Sequence, residues 1–318
     1  MKVVLLESLG IGEEELNSYR EALQARGASL EAYARTADEA QLIRELQGAD
    51  AAIIANMPIS GAVLRGADRL KFLDIAFTGV DHVDLEAARE KGIAVSNAAG
   101  YATEAVAELT VSQMIQLLRN VKETEERCRH DGTKDGLVGR ELSACTVGIV
   151  GTGAIGLRVA ALLKAFGCEV LGCAPRPKKE AEGLLTYVPM DELLRRSDIV
   201  SLHCPLNAET RGLIGEKELR QMKPTALLVN MARGPVADAA ALAAALQDGT
   251  IAGAALDVFD REPPLREDDP LLQSPRCLVT PHIGFASKES MRKRAKIVFG
   301  SLFSWMDGKQ LYTVLASR

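Results

Sequence analysis

The sequence has few aromatic residues, no long apolar run and no excess of positive charge, and each absence excludes a class of protein. One Trp, five Tyr and seven Phe in 318 residues, with a net charge of −5, offer little to stack on bases or to attract phosphate backbones. No apolar stretch approaches the roughly 18 residues of a membrane helix, and Met1–Leu6 is too short for a signal-peptide core. We therefore expect a cytoplasmic protein without nucleic-acid or membrane partners.

The six cysteines are scattered and are not arranged in any metal-binding pattern. There is no C-x-x-C pair and no His-rich segment beside the cysteines, so the sequence predicts no metal site. We expect reduced and mostly buried thiols at Cys128, Cys145, Cys168, Cys173, Cys204 and Cys277.

Short β-branched apolar runs alternate with amphipathic stretches along the whole chain, which is typical of an α/β protein with parallel sheets and crossover helices. The length predicts two domains. The first series of strand candidates forms a small doubly wound sheet from Lys2–Leu6, Ser29–Tyr33, Ala51–Ile54, Lys71–Ile75 and Ile93–Ser96. The second series forms a larger one from Thr146–Val150, Glu169–Cys173, Asp198–Leu202, Ala226–Asn230, Ile251–Ala255 and Leu278–Thr280.

Helical patterns fill the intervals between these strands, as in Glu13–Arg26 and Asp38–Gln47. Thr103–Arg129 contains neither Gly nor Pro and is predicted to be one long helix that bridges the domains. Ser287–Met306 is a second long helix, with a basic character that is typical of a solvated face.

The strongest motif is a glycine-rich turn between a predicted strand and a predicted helix. Val147–Val150 leads into Gly151-Thr152-Gly153-Ala154-Ile155-Gly156, and Leu157–Phe166 follows. Gly151 permits a tight turn, Gly153 lets the backbone approach a pyrophosphate, and Gly156 allows close packing of helix on strand. The free N–H groups of the helix N-terminus would then bind the anion, so the motif predicts a dinucleotide site.

The residues after the next strand bear on the choice of dinucleotide. An acid that would bind the ribose of NAD is absent there, because the strand ends in Ala174, followed by Arg176, Lys178 and Lys179. Cations without a carboxylate suit a ribose 2′-phosphate. The sequence thus favours NADP(H) over NAD(H) and leaves both open, since the cations are also compatible with a solvated loop.

Three residues that follow later strands have side chains suited to reversible carbonyl reduction. Arg233 offers a fork of donors for a substrate carboxylate, and His282 can exchange a proton with the carbonyl oxygen. Glu262, if hydrogen-bonded to that imidazole, would orient it and favour its protonated form. Because carboxyl ends of parallel strands lie at one edge of a sheet, we expect all three beside the dinucleotide.

The order of these motifs resembles the D-isomer-specific 2-hydroxyacid dehydrogenase family over nearly the whole chain. The matching segments include Thr78–Asp81, Val106–Glu108, the glycine turn, His203–Leu206, Glu209-Thr210, Met222-Lys223, Asn230–Gly234, Ala255–Val258, Glu262-Pro263 and Thr280–His282. The resemblance implies hydride transfer between a nicotinamide cofactor and a 2-oxoacid or 2-hydroxyacid, closest in pattern to glyoxylate and hydroxypyruvate reductases. It assigns Arg233, Glu262 and His282 as the catalytic residues.

The same resemblance implies a fuller set of binding residues. Cofactor contacts are implied for Gly151, Thr152, Gly153, Ala154, Ile155, Gly156, Ala174, Arg176, His203, Cys204, Pro205, Thr210, Met231, Ala232, Arg233, Asp257, His282 and Gly284, with Asp257 on the nicotinamide carboxamide. Substrate contacts are implied for Asn56, Phe77, Thr78, Gly79, Val80, Arg233 and His282, with the backbone N–H groups of 77–80 on the carboxylate and Asn56 facing the substrate side chain.

The resemblance further implies a Rossmann NAD(P)-binding domain, residues 99–286, inserted into a flavodoxin-like substrate domain, residues 1–98 and 287–318. A homodimer formed through the cofactor domain is implied as well. Two alternatives remain open: a dinucleotide-sensing scaffold of the corepressor type and a short phosphoglycerate dehydrogenase. A formate dehydrogenase is disfavoured by Glu262, because that line usually has Gln at this position.

Overall fold

The computed structural model describes residues 1–262 and 264–316. Pro263, part of the Glu262-Pro263 motif, and Ser317 and Arg318, the end of the predicted substrate domain, lie outside the described residues. The chain divides into a discontinuous unit, Met1–Ala102 with the residues from Ala286 onward, and a continuous unit, Thr103–Phe285. The sequence-based boundaries, 98/99 and 286/287, fall a few residues from these divisions, and the roles of the two domains stay predictions.

The described residues form strands and helices throughout both units. The strands are β1 Lys2–Leu5, β2 Ser29–Ala32, β3 Ala51–Ile54, β4 Phe72–Ile75, β5 Ala94–Asn97, β6 Thr146–Val150, β7 Glu169–Cys173, β8 Thr186–Tyr187, β9 Ile199–Leu202, β10 Leu227–Asn230, β11 Gly253–Leu256, β12 Cys277–Val279 and β13 Thr313–Leu315. The helices are α1 Glu13–Gln24, α2 Glu39–Leu46, α3 Gly61–Gly66, α4 Leu85–Lys91, α5 Thr103–Leu118, α6 Val121–Arg129, α7 Ala154–Ala165, α8 Met190–Arg196, α9 Glu216–Leu219, α10 Ala239–Gln247 and α11 Lys288–Met306. None of these helices is long and apolar enough to cross a bilayer.

The sheet of the discontinuous unit has the strand order β13-β5-β4-β3-β1-β2. The chain moves from β1 to β2 in one direction and from β3 to β5 in the other, so the order reverses between β1 and β3. In open α/β sheets the crevice at such a reversal, outside the carboxyl ends of the strands, is where ligands bind. All pairings among β1–β5 are parallel.

The sheet of the continuous unit has the order β12-β11-β10-β9-β6-β7-β8, and its order reverses between β6 and β9. All its pairings are parallel. Helices cover the strands, and one contiguous apolar core, which includes Leu171, Val200 and Leu228, fills the interior. The predicted α/β class with two doubly wound parallel sheets is confirmed.

Three details of the sequence-based prediction are wrong or incomplete. Thr103–Arg129 is two helices, because Asn120 adopts a left-handed conformation, φ 50°, that ends α5 before α6 begins. The strand β13 was not predicted, and it pairs antiparallel with β5, so the first sheet is not wholly parallel. The two-residue strand β8 was also missed because it is too short to show a period.

The core of the discontinuous unit contains an ionisable group that no motif predicted. Asp74, on β4, is fully buried, and neither carboxylate oxygen has a hydrogen-bond partner among the described residues. Burial raises the pKa of Asp74 to about 8, an effect that the nearby Ser301 hydroxyl on α11 only partly offsets. Asp74 is therefore largely protonated at neutral pH.

This burial predicts a stability that depends on pH. Because the pKa of Asp74 is about 8 in the folded chain against 3.8 for an exposed Asp, the folded state holds the proton more tightly. Its contribution to the free energy of unfolding is full below the unfolded pKa and is lost as pH rises from the unfolded to the folded pKa, by roughly 1.4 kcal/mol per pH unit. We expect Tm to fall between about pH 4 and about pH 8 in thermal melts, and Asp74→Asn to remove most of that fall. Parallel Tm curves for the two proteins would contradict this.

Candidate active site

The predicted catalytic and cofactor residues of the continuous unit all follow strands of its sheet. The last residue of β10, Asn230, is in register with Leu256 of β11, and Leu256 is in register with Val279 of β12. Since these strands are parallel neighbours, Arg233, Asp257 and His282 lie along one edge of the sheet, at its carboxyl end. The glycine turn follows β6 at the same edge.

The glycine turn has the geometry of an anion cradle. Gly151 has a φ of +95°, and a Cβ there would lie 2.5 Å from the backbone N of Cys204. A Cβ on Gly156 would lie 2.1 Å from the Gly151 carbonyl oxygen, whereas one on Gly153 would meet nothing within 4 Å. The helix α7 begins at Ala154 without a side-chain cap, so its first N–H groups are available to an anion. These residues fit the pyrophosphate of a dinucleotide.

His203, which follows β9, supports the same fit. Its Nε2 lies 2.8 Å from the Ser201 Oγ, and its Nδ1 is buried with no partner among the described residues. Burial lowers the pKa of His203 to about 4, so the ring is neutral. A neutral ring with a buried, unpaired nitrogen is suited to hydrogen-bond a bound ligand rather than to carry charge.

Beyond β9 the chain turns tightly and brings further predicted cofactor residues to this edge. Burial raises the pKa of the Cys204 thiol to about 11, which makes it unreactive. The Oγ1 of Thr210 donates to the Pro205 carbonyl oxygen at 2.6 Å. It also accepts the Asn207 backbone N–H at 2.9 Å. These bonds fix the Pro205–Thr210 segment.

The basic segment after β7 is joined to the glycine turn by a tyrosine that sequence reasoning missed. The hydroxyl of Tyr187, on β8, lies 2.8 Å from the Thr152 Oγ1 and accepts a bond from the Lys178 backbone N–H at 3.1 Å. Arg176, Lys178 and Lys179 are exposed, and the structure shows no ion pair between them and any described acidic residue. Tyr187 lies on a strand of only two residues, which is too weak a sequence signal to have located it.

Arg233 lies in a turn that is built by Asn230, another residue not singled out by the sequence. The Asn230 Oδ1 accepts from the Ala232 N–H at 3.0 Å, and its Nδ2 donates to the Arg233 carbonyl oxygen at 2.9 Å. Asn230 is buried, as is Met231, which follows it. A Cβ on Gly234 would lie 2.0 Å from the Phe259 carbonyl carbon, so the backbone packs closely on this side of the turn. The position of Arg233 is thus set by its neighbours on both sides.

His282 and Glu262 form a hydrogen-bonded pair. The His282 Nδ1 lies 2.6 Å from the Glu262 Oε2, with 13% of the His282 side chain and 44% of the Glu262 side chain exposed. A carboxylate on Nδ1 fixes the tautomer and the orientation of the ring. The edge of one ring meets the face of the other between His282 and Phe285, with centroids 5.4 Å apart. The arrangement suits an acid/base group.

Asp257 shapes the turn that carries His282. Its buried carboxylate accepts the Thr280 hydroxyl at 2.6 Å, the Ile283 N–H at 2.8 Å and the Gly284 N–H at 2.7 Å. These bonds hold His282 at a φ of 54°, which is uncommon for a residue other than glycine. Burial raises the pKa of Asp257, and the same three bonds oppose that rise. The implied contact of Asp257 with the nicotinamide carboxamide stays a prediction; the described role is to organise this turn.

The predicted substrate residues of the discontinuous unit lie at the carboxyl ends of two neighbouring strands. Asn56 lies two residues beyond β3, and Phe77–Val80 follows β4, whose last residue, Ile75, is in register with Ile54. The Asn97 Nδ2 donates to the Thr78 carbonyl oxygen at 2.7 Å. Phe77 is buried and Asn56 is half-buried. Gly79 and Val80 lie between Thr78 and the following turn.

Comparison with known proteins identifies the family of this chain. Residues 111–284 match the family model described as D-isomer specific 2-hydroxyacid dehydrogenase, NAD binding domain. A glyoxylate reductase of Korarchaeum cryptofilum is 37% identical over 276 residues, which are 84% of this chain and 83% of that protein. A hydroxypyruvate reductase of Blautia hydrogenotrophica is 31% identical over 99% of both chains.

A solved structure gives the same result for the fold. An acyclic imino acid reductase in complex with NADPH and D-Arg superposes with a TM-score of 0.90 at 28% identity, over 99% of this chain and 100% of that chain. The chain therefore belongs to the D-isomer-specific 2-hydroxyacid dehydrogenase family. It is an oxidoreductase that acts on a small hydroxyacid with a nicotinamide dinucleotide as cofactor.

The geometry of His282 generates a mutational prediction. We expect His282→Ala to lower kcat by roughly two to four orders of magnitude, because the predicted general acid is lost, with a much smaller effect on the dinucleotide Kd. Steady-state kinetics and fluorescence titration with the dinucleotide measure the two quantities. His130→Ala, at an exposed histidine of the same unit, is the control and should change neither. A kcat that survives in His282→Ala would remove His282 from the mechanism.

Proposed function

We propose that this protein is a cytoplasmic, homodimeric NADPH-preferring reductase of small 2-oxoacids such as glyoxylate and hydroxypyruvate, which yields the D-2-hydroxyacid. The observation that carries the proposal is the 2.6 Å bond between His282 and Glu262 at the carboxyl edge of the sheet that also bears the glycine turn. A bound nicotinamide supplies the hydride. The chain's own residues bind the substrate and move the proton.

The proton step follows from which nitrogen of His282 is bound to Glu262. Since Nδ1 donates to the carboxylate, Nε2 is the nitrogen that gives its proton to the carbonyl oxygen as the carbon is reduced. The Glu262 carboxylate holds the ring in the orientation that this transfer needs. In the oxidation direction the neutral ring takes the proton back from the hydroxyl.

Substrate binding is assigned to Arg233 and to the loop after β4. A guanidinium holds a carboxylate through two parallel bonds and polarises the neighbouring carbonyl, which Lys does not reproduce. Backbone N–H groups of 77–80 are proposed to bind the substrate carboxylate. The turn bonds of Asn230 support this role for Arg233, because they fix the residue before any substrate arrives.

The preference for NADPH rests on the residues after β7. Ala174 brings no carboxylate to the strand end, and Arg176, Lys178 and Lys179 provide exposed cations in a segment anchored by Tyr187. A 2′-phosphate binds favourably to such cations, whereas NADH offers them only a hydroxyl.

The homodimer is supported by individually exposed apolar side chains of the continuous unit. The helix α6 has no buried residue, and Val121, Val138 and Phe166 are exposed by 40%, 87% and 47%. Apolar side chains exposed to this extent on one unit are suited to an isologous twofold contact.

The direct experiment measures initial rates of NADPH and NADH oxidation with glyoxylate, hydroxypyruvate, pyruvate, phenylpyruvate and 2-oxoglutarate. We expect turnover of glyoxylate and hydroxypyruvate, with kcat/KM about tenfold or more higher for NADPH than for NADH because only NADPH gains the charged hydrogen bonds. Absence of turnover across the panel, with dinucleotide binding retained, would contradict the proposal.

A matched pair of variants isolates the cations in the same assay. Arg176→Ala should raise the KM for NADPH by about tenfold and leave that for NADH nearly unchanged. Arg195→Ala removes an exposed guanidinium of the same unit that pairs with Asp191, and it should alter neither. Equal effects of Arg176→Ala on both dinucleotides would exclude its contact with the 2′-phosphate.

A further inference from the structure

A buried carboxylate lies where the strand order of the discontinuous unit reverses. Glu7 lies two residues beyond β1, the strand that neighbours β3 in the sheet. Only 5% of its side chain is exposed. A buried carboxylate costs free energy unless donors surround it, so the groups that it binds indicate its purpose.

The Glu7 carboxylate holds the backbone on both sides of Asn56. Its Oε2 accepts the Ala55 N–H at 2.7 Å and the Met57 N–H at 2.8 Å. The Ala55 carbonyl oxygen is in turn bound by the His82 Nε2 at 3.0 Å. Three bonds therefore fix the peptide units that flank this one half-buried side chain.

Arg35 extends the same contact to the Asn56 side chain. Its Nη1 lies 3.0 Å from the Glu7 Oε1 and donates to the Asn56 Oδ1 at 2.9 Å. The Asn56 oxygen is thus occupied by a guanidinium. Its Nδ2 amide forms no hydrogen bond with any described residue, so Asn56 offers a donor to a ligand.

A second cation of the discontinuous unit binds the residue that follows Glu7. The Arg294 guanidinium, on α11, lies 3.4 Å from the Ser8 carbonyl oxygen and 3.5 Å from that of Ala76. Burial lowers the pKa of Arg294, and Tyr101 and the charge of Glu7 oppose that lowering. When Arg35 is removed, the Ala55 and Met57 N–H groups still bind the Glu7 carboxylate, so an Arg35 variant is expected to fold.

We propose that Glu7 and Arg35 are positioning residues that hold Asn56 so that its Nδ2 amide binds an oxygen substituent on C3 of the 2-oxoacid. The inference rests on the proposed function. The contact with Asn56 gives substrates with a C3 hydroxyl, or another C3 oxygen group, a higher kcat/KM than substrates with a plain methyl. Glyoxylate, which lacks C3, is insensitive to this contact.

The test compares kcat/KM for hydroxypyruvate with that for pyruvate, which differs only in the C3 oxygen. We expect the wild-type ratio to exceed one. Glu7→Gln keeps an oxygen for the Ala55 and Met57 N–H groups and removes the charge that holds Arg35. Arg35→Ala removes the contact with Asn56 directly. Each should lower the ratio about tenfold, as the loss of one substrate hydrogen bond does, with the KM for NADPH and the kcat for glyoxylate unchanged.

A double-mutant cycle and a matched control separate positioning from general damage. The double variant should lower the ratio no further than either single variant, because both act through Asn56. Asp50 is the control: it accepts the Lys2 N–H at 2.9 Å and pairs with the exposed Arg69 at 2.9 Å, before the amino end of β3. Asp50→Asn should lower Tm as Glu7→Gln does and leave the ratio unchanged.

The outcomes are distinguishable. An unchanged ratio in either single variant, additive losses in the double variant, or an equal loss in Asp50→Asn would overturn the inference while the proposed function stands. A wild-type ratio of one or less, with glyoxylate still turned over, would do the same. Absence of turnover with every 2-oxoacid would overturn the proposed function and this inference together.

Discussion

The candidate catalytic edge of the continuous unit depends on the carboxylate of Asp257. It lies at the end of β11 and gathers a hydroxyl and two backbone N–H groups from the segment after β12. Each bond to a charged, buried acceptor contributes about 1.5 to 3 kcal/mol, enough to hold His282 in a left-handed conformation that a non-glycine residue avoids. This turn sets the direction of the imidazole and so places its Nδ1 2.6 Å from the Glu262 Oε2.

The same device recurs in the discontinuous unit. Glu7, after β1, binds the N–H groups on either side of Asn56, as Asp257 binds those of the His282 turn. In both sheets a buried carboxylate that follows one strand fixes the loop that follows the neighbouring strand. Loops that carry ligand-binding side chains are otherwise the most mobile part of an α/β sheet, and a buried acid that satisfies backbone donors makes them rigid.

The parts of the account that were predictable from sequence are those with a local signal. The strands β3, β6 and β7 match their predicted bounds because parallel, doubly covered strands are continuous apolar runs. The glycine turn is equally local. In contrast, the break at Asn120 depends on a single left-handed residue, and the strand β8 is too short to show a period. The antiparallel strand β13 depends on β5, a partner far away in the chain.

The supporting residues of the site were missed for a related reason. Asn230, Tyr187 and Glu7 act through bonds to segments whose proximity is decided by strand order, and a sequence pattern does not show which backbone N–H a carboxylate or amide meets. Asp74 is a further case, since an acid in an apolar run gives no sign of whether it is exposed. Residues that perform chemistry have recognisable types and spacings, whereas those that position them do not.

The central claim is that Glu262 acts through His282 as the source of the transferred proton. The most direct measurement is kcat for 2-oxoacid reduction in the wild type and in Glu262→Ala, with the dinucleotide Kd as the control. We expect kcat to fall by about tenfold or more in the variant, because the imidazole loses the 2.6 Å bond that fixes its tautomer and orientation, and we expect the Kd to stay unchanged. A kcat equal to that of the wild type would contradict the claim.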